Sequence, residues 1–245
     1  MNLYGLIGYR LGHSFSKKYF TQKFEAEGLA GCFFELFALE NIDLFPALLQ
    51  SNISLRGLAV TIPYKQSVMP YLQQISGEAQ QIGAVNCIEF LPEGLKGHNT
   101  DVIGFERSFA PLLQSHHTKA LILGTGGSSK AVQYVLQKLG IGVLLVSRNA
   151  KGKEQVNYRD LDKQVLSEYT LIINCSPVGM SPEEETKPDI LYSAITPDHY
   201  LFDLVYQPAE TLFLREGKTR GAIVKNGYDM LVFQAEENWR IWNEL

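Results

Sequence analysis

The stretch Ala120-Leu-Ile-Leu-Gly124-Thr-Gly126-Gly127-Ser-Ser-Lys-Ala131 is a short apolar strand, a glycine turn and the start of a helix. Glycines in such a turn let the backbone curl tightly and approach a pyrophosphate, which the N–H groups of the helix N-terminus then hold. In a NAD-binding unit an Asp or Glu stands roughly 20 residues further on and accepts hydrogen bonds from the ribose 2′-hydroxyl. Here the next strand, Val143-Leu-Leu-Val146, runs instead into Ser147-Arg148-Asn149. A carboxylate at that place would repel a 2′-phosphate, whereas Arg148 pairs with one in a charge-assisted contact. The stretch therefore predicts a dinucleotide-binding unit that takes NADP. The chain ahead of it is left for another purpose, most simply holding a substrate.

Working outward, the 245 residues are enough for one large or two modest domains. With 45% hydrophobic residues and a net charge of −4, the composition is that of an ordinary globular protein. Lys and Arg form no stripe, which argues against a nucleic-acid partner. Met1-Asn-Leu-Tyr-Gly-Leu-Ile-Gly reads as a strand rather than a signal peptide. No run approaches the roughly 18 apolar residues of a membrane span, so the expectation is a cytoplasmic protein without a membrane partner. Cys32, Cys87 and Cys175 are odd in number and scattered, with no disulfide or zinc spacing, and are expected as buried thiols.

Strand and helix patterns alternate along the chain, which predicts an α/β fold with mainly parallel sheets. Strands are expected at 3–8, 33–37, 55–60, 82–90, near 170–174, 200–204 and 221–224. Helices are expected at 17–28 and 41–50, after Asn99-Thr100-Asp101, and over the last twenty residues. Residues 114–118 read as a linker, with His116 and His117 exposed in it. The acidic run Pro182-Glu-Glu-Glu185 reads as a solvated turn.

Several residues are candidates for chemistry. Pro63 suits a first helical position, which would put Lys65 in a first turn where the macrodipole disfavours a cation and makes a lysine more useful in proton transfer. A solvent-facing lysine is the plainer alternative. Asn99, Thr100 and Asp101 are all good helix caps, and one helix needs only one, so Asp101 is open to either capping or ligand binding. The same choice stays open for Ser14 and Ser16, whose hydroxyls alternate as in an extended stretch. Asn86, within the apolar run 83–88, is a buried amide that needs partners. His98 is a weaker acid–base candidate. Gln234 and Tyr206 are explained by core packing as readily as by a site.

Together these segments resemble the shikimate dehydrogenase family, over nearly the whole chain. The resemblance is carried by His13-Ser14-Phe15-Ser16, Val60-Thr-Ile-Pro-Tyr-Lys65, Gly83-Ala-Val-Asn86, Asn99-Thr-Asp101 and Gly124-Thr-Gly-Gly127. It continues through Ser147-Arg-Asn149, Asn174-Cys-Ser-Pro-Val-Gly-Met180, Asp203-Leu-Val-Tyr206 and Gly227-Tyr-Asp-Met-Leu231 with Gln234-Ala235. The resemblance implies that Lys65 and Asp101 are the catalytic pair beside the carbon that is oxidised. It implies that Ser14, Ser16, Thr61, Asn86, Tyr206 and Gln234 hold the substrate's carboxylate and hydroxyls. By the same resemblance Gly124, Thr125, Gly126, Gly127, Ser147, Arg148, Asn149, Leu204 and Gly227 contact the cofactor. The implied fold is an α/β substrate domain, residues 1–101 and 226–245, and a Rossmann-like NADP domain, 102–225, with the active site in the cleft between them.

This chain departs from the family pattern at four places. Ser147-Arg148-Asn149 stands for the usual Asn-Arg-Thr, Ala59 for Asn and Arg10 for Pro, and Lys151 or Lys153 stands in for a second basic residue. The implied activity is NADP-dependent reduction of 3-dehydroshikimate to shikimate, in aromatic amino acid biosynthesis, by a monomer or homodimer that needs no metal. The rivals are a quinate/shikimate dehydrogenase of broader specificity and a non-catalytic regulator that binds the metabolite. An S-adenosylmethionine methyltransferase is opposed by the missing acid on the second strand.

Overall fold

Two six-stranded sheets organise the chain in the computed structural model, which describes every residue except Arg10, His13, Lys153, Glu244 and Leu245. The chain divides into two units, Met1–Thr100 with Gln234–Leu245, and Asp101–Phe233. The second boundary falls inside the last helix, where the sequence reading put all of 226–245 with the substrate domain.

In the first unit, β1 (Asn2–Gly8) lies between β2 (Cys32–Ala38) and β3 (Leu55–Val60), parallel to both. The sheet continues through β5 (Cys87–Leu91) and β6 (Gly94–His98) to the short β4 (Gln74–Ile75). β5 runs antiparallel to both β3 and β6, within a sheet that is otherwise parallel, as the expectation of mainly parallel sheets allows. Helices α1 (Phe15–Ala26), α2 (Phe45–Ser51) and α3 (Gly77–Ile82) complete the connections.

β1 is buried on both faces, and its side chains divide by parity, as a period of two requires. Leu3 and Ile7 join a core with Leu58, Val60, Val68 and Ile88, while Tyr4 and Leu6 join Phe20, Phe24, Phe34 and Trp242. The second core is aromatic. Phe20 stacks on Phe34 with centroids 4.7 Å apart, and Tyr4 on Trp242 at 5.3 Å. Trp242 belongs to α8 (Tyr228–Asn243), so the end of the chain completes the core begun at its start.

The second unit holds β7 (Lys119–Leu123), β8 (Gly142–Ser147), β9 (Gln155–Asn157), β10 (Leu171–Asn174), β11 (Tyr200–Asp203) and β12 (Ile223–Asn226). They form an all-parallel sheet in the order β12-β11-β10-β7-β8-β9, the doubly wound arrangement of dinucleotide-binding folds. Parity again sorts the faces. Leu121, Leu123, Ile172 and Leu201 enter one core, while Tyr200 and Phe202 meet Phe105 and Phe109 of α4 (Asp101–Phe109). The remaining helices are α5 (Gly127–Lys138), α6 (Lys163–Glu168) and α7 (Leu212–Lys218). Among the described residues, no helix is long and apolar enough to cross a membrane.

Some local expectations change. Residues 61–68 form turns rather than a helix starting at Pro63. The Lys65 carbonyl accepts from Val85 N at 2.7 Å, and Met69 N turns to Gln66 O, so the bond that would extend a helix is diverted. The macrodipole argument for Lys65 therefore falls. The strand expected from Ile82 begins at Cys87, because Ser76 caps α3 and Gly83 closes it in a left-handed conformation. His117 is buried rather than exposed: its ring accepts from Gln114 N at 3.0 Å through Nδ1 and meets the Asp198 carbonyl through Nε2. Of the three cysteines only Cys87 is fully buried, with Cys32 and Cys175 partly so.

Candidate active site

Each unit gathers its candidate residues at one edge of its sheet. In the first unit that edge is where β1, β3 and β6 end and β5, running the other way, begins. Ser14 follows β1, Thr61 and Lys65 follow β3, Asn86 precedes β5, and Asn99-Thr100 follow β6. Ligands of open α/β sheets gather beyond the carboxyl ends of the strands for the same geometric reason.

The backbone there is pinned crosswise. Val60 N donates to Asn86 O at 2.8 Å, Thr61 N to Ile7 O at 2.9 Å and Asn86 N to His98 O at 3.0 Å. With the Val85–Lys65 bond, these hold the half-buried Lys65 beside Asn86 on one rigid edge. Asn86 is 3% exposed, and its Oδ1 accepts from Thr100 N at 2.6 Å. Asn99 donates to Ala84 O at 3.0 Å. Ser14 is the cap of α1, its hydroxyl accepting from Lys17 N at 3.4 Å. Ser16 lies in the first turn of that helix, so the two hydroxyls do not alternate along an extended stretch. Gln234 is buried on α8 and accepts from Asn238 Nδ2. His98 pairs with Glu89 at 2.8 Å inside the β5–β6 hairpin, and burial lowers its pKa despite the carboxylate. His13, from the first quoted motif, lies outside the described residues, as do Arg10 and Lys153.

In the second unit the edge is the carboxyl end of the parallel sheet. Asp101, 7% exposed, opens α4. The glycine turn leaves β7 at the point where the strand order reverses, between β7 and β10. Gly124 has φ +111°, and a Cβ there would lie 3.3 Å from the Cys175 backbone. α5 then begins at an N-cap glycine, Gly126, with no side chain capping it. Thr125 and Gly126 are exposed. This is a cradle of backbone N–H groups at a helix start that side chains leave clear, and it fits a pyrophosphate.

Beyond β8 the turn is tied down by its own polar groups. Asn149 N donates to Ser147 Oγ at 3.3 Å, Ala150 N to Asn157 Oδ1 at 3.3 Å and Lys151 N to Gln155 Oε1 at 3.1 Å. Arg148 stands exposed on it, so its guanidinium fits a 2′-phosphate at the place where an acid would have fitted a free hydroxyl. Leu204 and Gly227 touch: a Cβ on Gly227 would fall 2.3 Å from the Leu204 carbonyl oxygen, so only glycine allows this approach. Tyr206 is half-buried, and burial raises its phenol pKa.

Sequence reasoning missed the group that holds these loops together. Asp203 is fully buried and accepts from Thr211 Oγ1 at 2.6 Å, Asn174 Nδ2 at 2.9 Å and Val205 N at 3.0 Å. Asn174 in turn accepts from Ser176 Oγ at 2.6 Å. Burial lifts the Asp203 carboxyl from 3.8 to about 6, against the three hydrogen bonds, which favour the carboxylate. Both Asn174 and Asp203 end apolar strands and open motifs quoted for the family resemblance, the signals that were available.

Residues 6–88 match the family model described as the shikimate dehydrogenase substrate binding domain. The whole chain aligns, at 37% identity over 257 residues and 93% of the relative, with a Clostridium beijerinckii protein named shikimate dehydrogenase (NADP(+)). The chain belongs to the shikimate dehydrogenase family. Among solved structures, the family's shikimate 5-dehydrogenase from Thermus thermophilus, in complex with NADP(H) and shikimate, superposes with a TM-score of 0.87 at 29% identity. That match covers 100% of this chain and 94% of the other. Quinate dehydrogenase from Corynebacterium glutamicum in complex with NAD matches with a TM-score of 0.85 at 28% identity, over 100% and 94% of the two chains.

Proposed function

We propose that this protein is an NADP-dependent shikimate dehydrogenase that interconverts 3-dehydroshikimate and shikimate, in the cytoplasm, on the way to chorismate and the aromatic amino acids. The observation that carries the reading is Arg148, exposed after β8 in a chain that aligns along its length with a relative named for NADP(+). The substrate-binding part is residues 1–101 and 226–245, and the NADP-binding part is 102–225. The active form is a monomer or homodimer.

When bound, the nicotinamide supplies the hydride that turns the ketone into an alcohol. The chain's own groups do the rest. The Lys65 ammonium meets the negative charge growing on the ketone oxygen, a proton from Lys65 or from solvent completes the hydroxyl, and Asp101 accepts a hydrogen bond from that hydroxyl and orients Lys65. Ser14, Ser16, Thr61, Asn86, Tyr206 and Gln234 hold the carboxylate and the other hydroxyls. Gly124 to Gly127 receive the pyrophosphate, and Leu204 and Gly227 contact the cofactor. Ser147, Arg148 and Asn149 receive the 2′-phosphate, with Lys151 in the same turn.

A quinate/shikimate dehydrogenase of broader specificity is the second reading, favoured by the likeness to quinate dehydrogenase. Its NAD-using form is opposed by Arg148. A non-catalytic regulator is opposed by the presence of both Lys65 and Asp101. Reduction of NADP⁺ and NAD⁺ with shikimate and with quinate, compared side by side, tests all of these. NADP⁺ with shikimate should give the highest kcat/KM, and Arg148→Ala should erode the preference for NADP⁺. A preference for NAD⁺ in the unmodified protein would refute the reading of this turn.

A further inference from the structure

Asn86 and Gln234, the two amides assigned to the substrate, are joined by buried hydrogen bonds through two residues that carry no such assignment. Thr100 donates its backbone N–H to Asn86 Oδ1 at 2.6 Å and its hydroxyl to Asn238 Oδ1 at 2.7 Å. Asn238 Nδ2 donates to Gln234 Oε1 over a longer 3.4 Å. All four residues belong to the first unit, and none is more than 8% exposed. Asn238 lies four residues after Gln234 on α8, the spacing at which helical side chains meet.

The chain of bonds has a direction. A backbone N–H can only donate, so Asn86 must turn its oxygen to Thr100 and its NH₂ the other way. The Thr100 hydroxyl has one proton to give. Its 2.7 Å separation from Asn238 Oδ1 is the length of an O–H···O bond, and its approach to Asn86 Oδ1 is longer, at 3.2 Å. An Asn238 amide held by its oxygen has only N–H to offer Gln234, which must accept through Oε1 and keep its own NH₂ for another partner. One backbone donor thus orients the amides.

We infer that Thr100 and Asn238 are positioning residues that turn the amides of Asn86 and Gln234 so that both meet the ligand as N–H donors. At those two places the site selects oxygen acceptors, as a polyhydroxylated carboxylic acid presents. The inference rests on the shikimate reading. It also assigns Asn238 a part in substrate grip without contact to the substrate.

Two substitutions at one position separate direction from packing. Asn238→Leu removes both links. Asn238→Asp keeps an acceptor for Thr100 but offers Gln234 a second oxygen, so Gln234 must turn N–H inward and present Oε1 to the ligand. Both should raise the shikimate KM by about tenfold, the scale of losing one oriented hydrogen bond, with kcat and the NADP⁺ KM near their original values. Thr100→Val, which keeps the backbone donor and loses the hydroxyl, should behave like Asn238→Leu, and Thr100→Ser should restore the original KM. A residue acting through Gln234 has nothing to add once Gln234 is gone, so Gln234→Ala with Asn238→Leu should bind shikimate no worse than Gln234→Ala alone. Denaturation curves on each variant account for lost packing, which lowers stability without moving the KM of molecules that stay folded. If Asn238→Leu does not fold, the Thr100 pair carries the test.

An unchanged KM in Asn238→Leu or Thr100→Val, or losses that add in the double variant, would overturn the assignment while normal turnover by the unmodified enzyme left the shikimate reading intact. If the unmodified enzyme does not oxidise shikimate with NADP⁺, that reading fails and this inference falls with it.

Discussion

Lys65 stands two residues after Pro63, which suggested a helix start, and the structure fixes it by a different route. A carbonyl bond to Val85, twenty residues further on, holds its backbone at the sheet edge. No local pattern encodes a partner at that separation, so the residue was legible as a candidate and its conformation was not. Asn86 was legible for a sounder reason, since a buried amide must find partners: its side-chain Oδ1 accepts from Thr100 N, while its backbone pairs with Val60 and His98. His117 escaped because two histidines in a polar stretch read alike: both rings meet the Asp198 carbonyl, and the buried His117 is the one that also accepts from Gln114 N through Nδ1. The chemistry proposed for Lys65 is testable at the same scale. Lys65→Met keeps the aliphatic stem and removes the charge, and kcat should fall by about 10²–10⁴ while NADP⁺ affinity barely moves. Asp101→Asn should also slow turnover and weaken shikimate binding, because an amide cannot accept at both terminal atoms. If the pair acts as a unit, steady-state kinetics of the double variant should be scarcely worse than those of the worse single one. Near-normal turnover in Lys65→Met would remove it from the chemistry, and His98, bound to Glu89, would have to be reconsidered.

At the scale of elements, the long apolar strands were readable and the short polar ones were not. Leu55–Val60 reads from sequence to the residue because it is buried on nearly every side chain. β4, with two residues, and β9, with three, have no period to read. α6 and α7, at six and seven residues, are too short to show an apolar face of their own. The Asp203 cluster was not legible as a cluster for a related reason: its members, at the ends of β10 and β11 and at the N-cap of α7, are separated in sequence and meet only when the parallel sheet forms. It makes a prediction about pH. The folded protein holds the Asp203 proton up to about 6, whereas an unfolded chain releases it near 3.8. Between these values the folded state binds more protons, so stability falls as pH rises through the window and stays lower above it. Over the shift from 3.8 to about 6 the loss is about 3 kcal/mol. Asp203→Asn has no such proton to lose. Urea unfolding from pH 4 to pH 7 should therefore show the original protein losing stability relative to the variant as pH rises. Parallel curves for the two would contradict this account of the buried carboxyl.

For the molecule as a whole, the decisive fact is that one unit is interrupted in sequence and the other is not. Asp101–Phe233 is continuous and contains the glycine turn, the Arg148 turn and a complete parallel sheet. The first unit needs residues from both sides of that insertion, and its aromatic core closes only when α8 returns Trp242 to Tyr4 and Phe34. Trp242 also donates its indole N–H to the Ile88 carbonyl at 3.0 Å, so it fills the core and satisfies a strand at once. Trp242→Ala in the full chain should cost about 3–5 kcal/mol, the usual range for emptying a large aromatic from a core, and the loss should fall on the first unit. Calorimetric titrations along a urea series then become informative. Shikimate affinity, for which Asn86 and Gln234 are proposed, should disappear at lower urea in the variant than in the original protein. NADP⁺ affinity, proposed for the uninterrupted unit, should persist to nearly the same concentration in both. The two ligands would then report two separate transitions where the original protein shows them close together. Simultaneous loss of both affinities in the variant would mean that the inserted unit cannot stand without the other, and that continuity in sequence does not confer independent stability here.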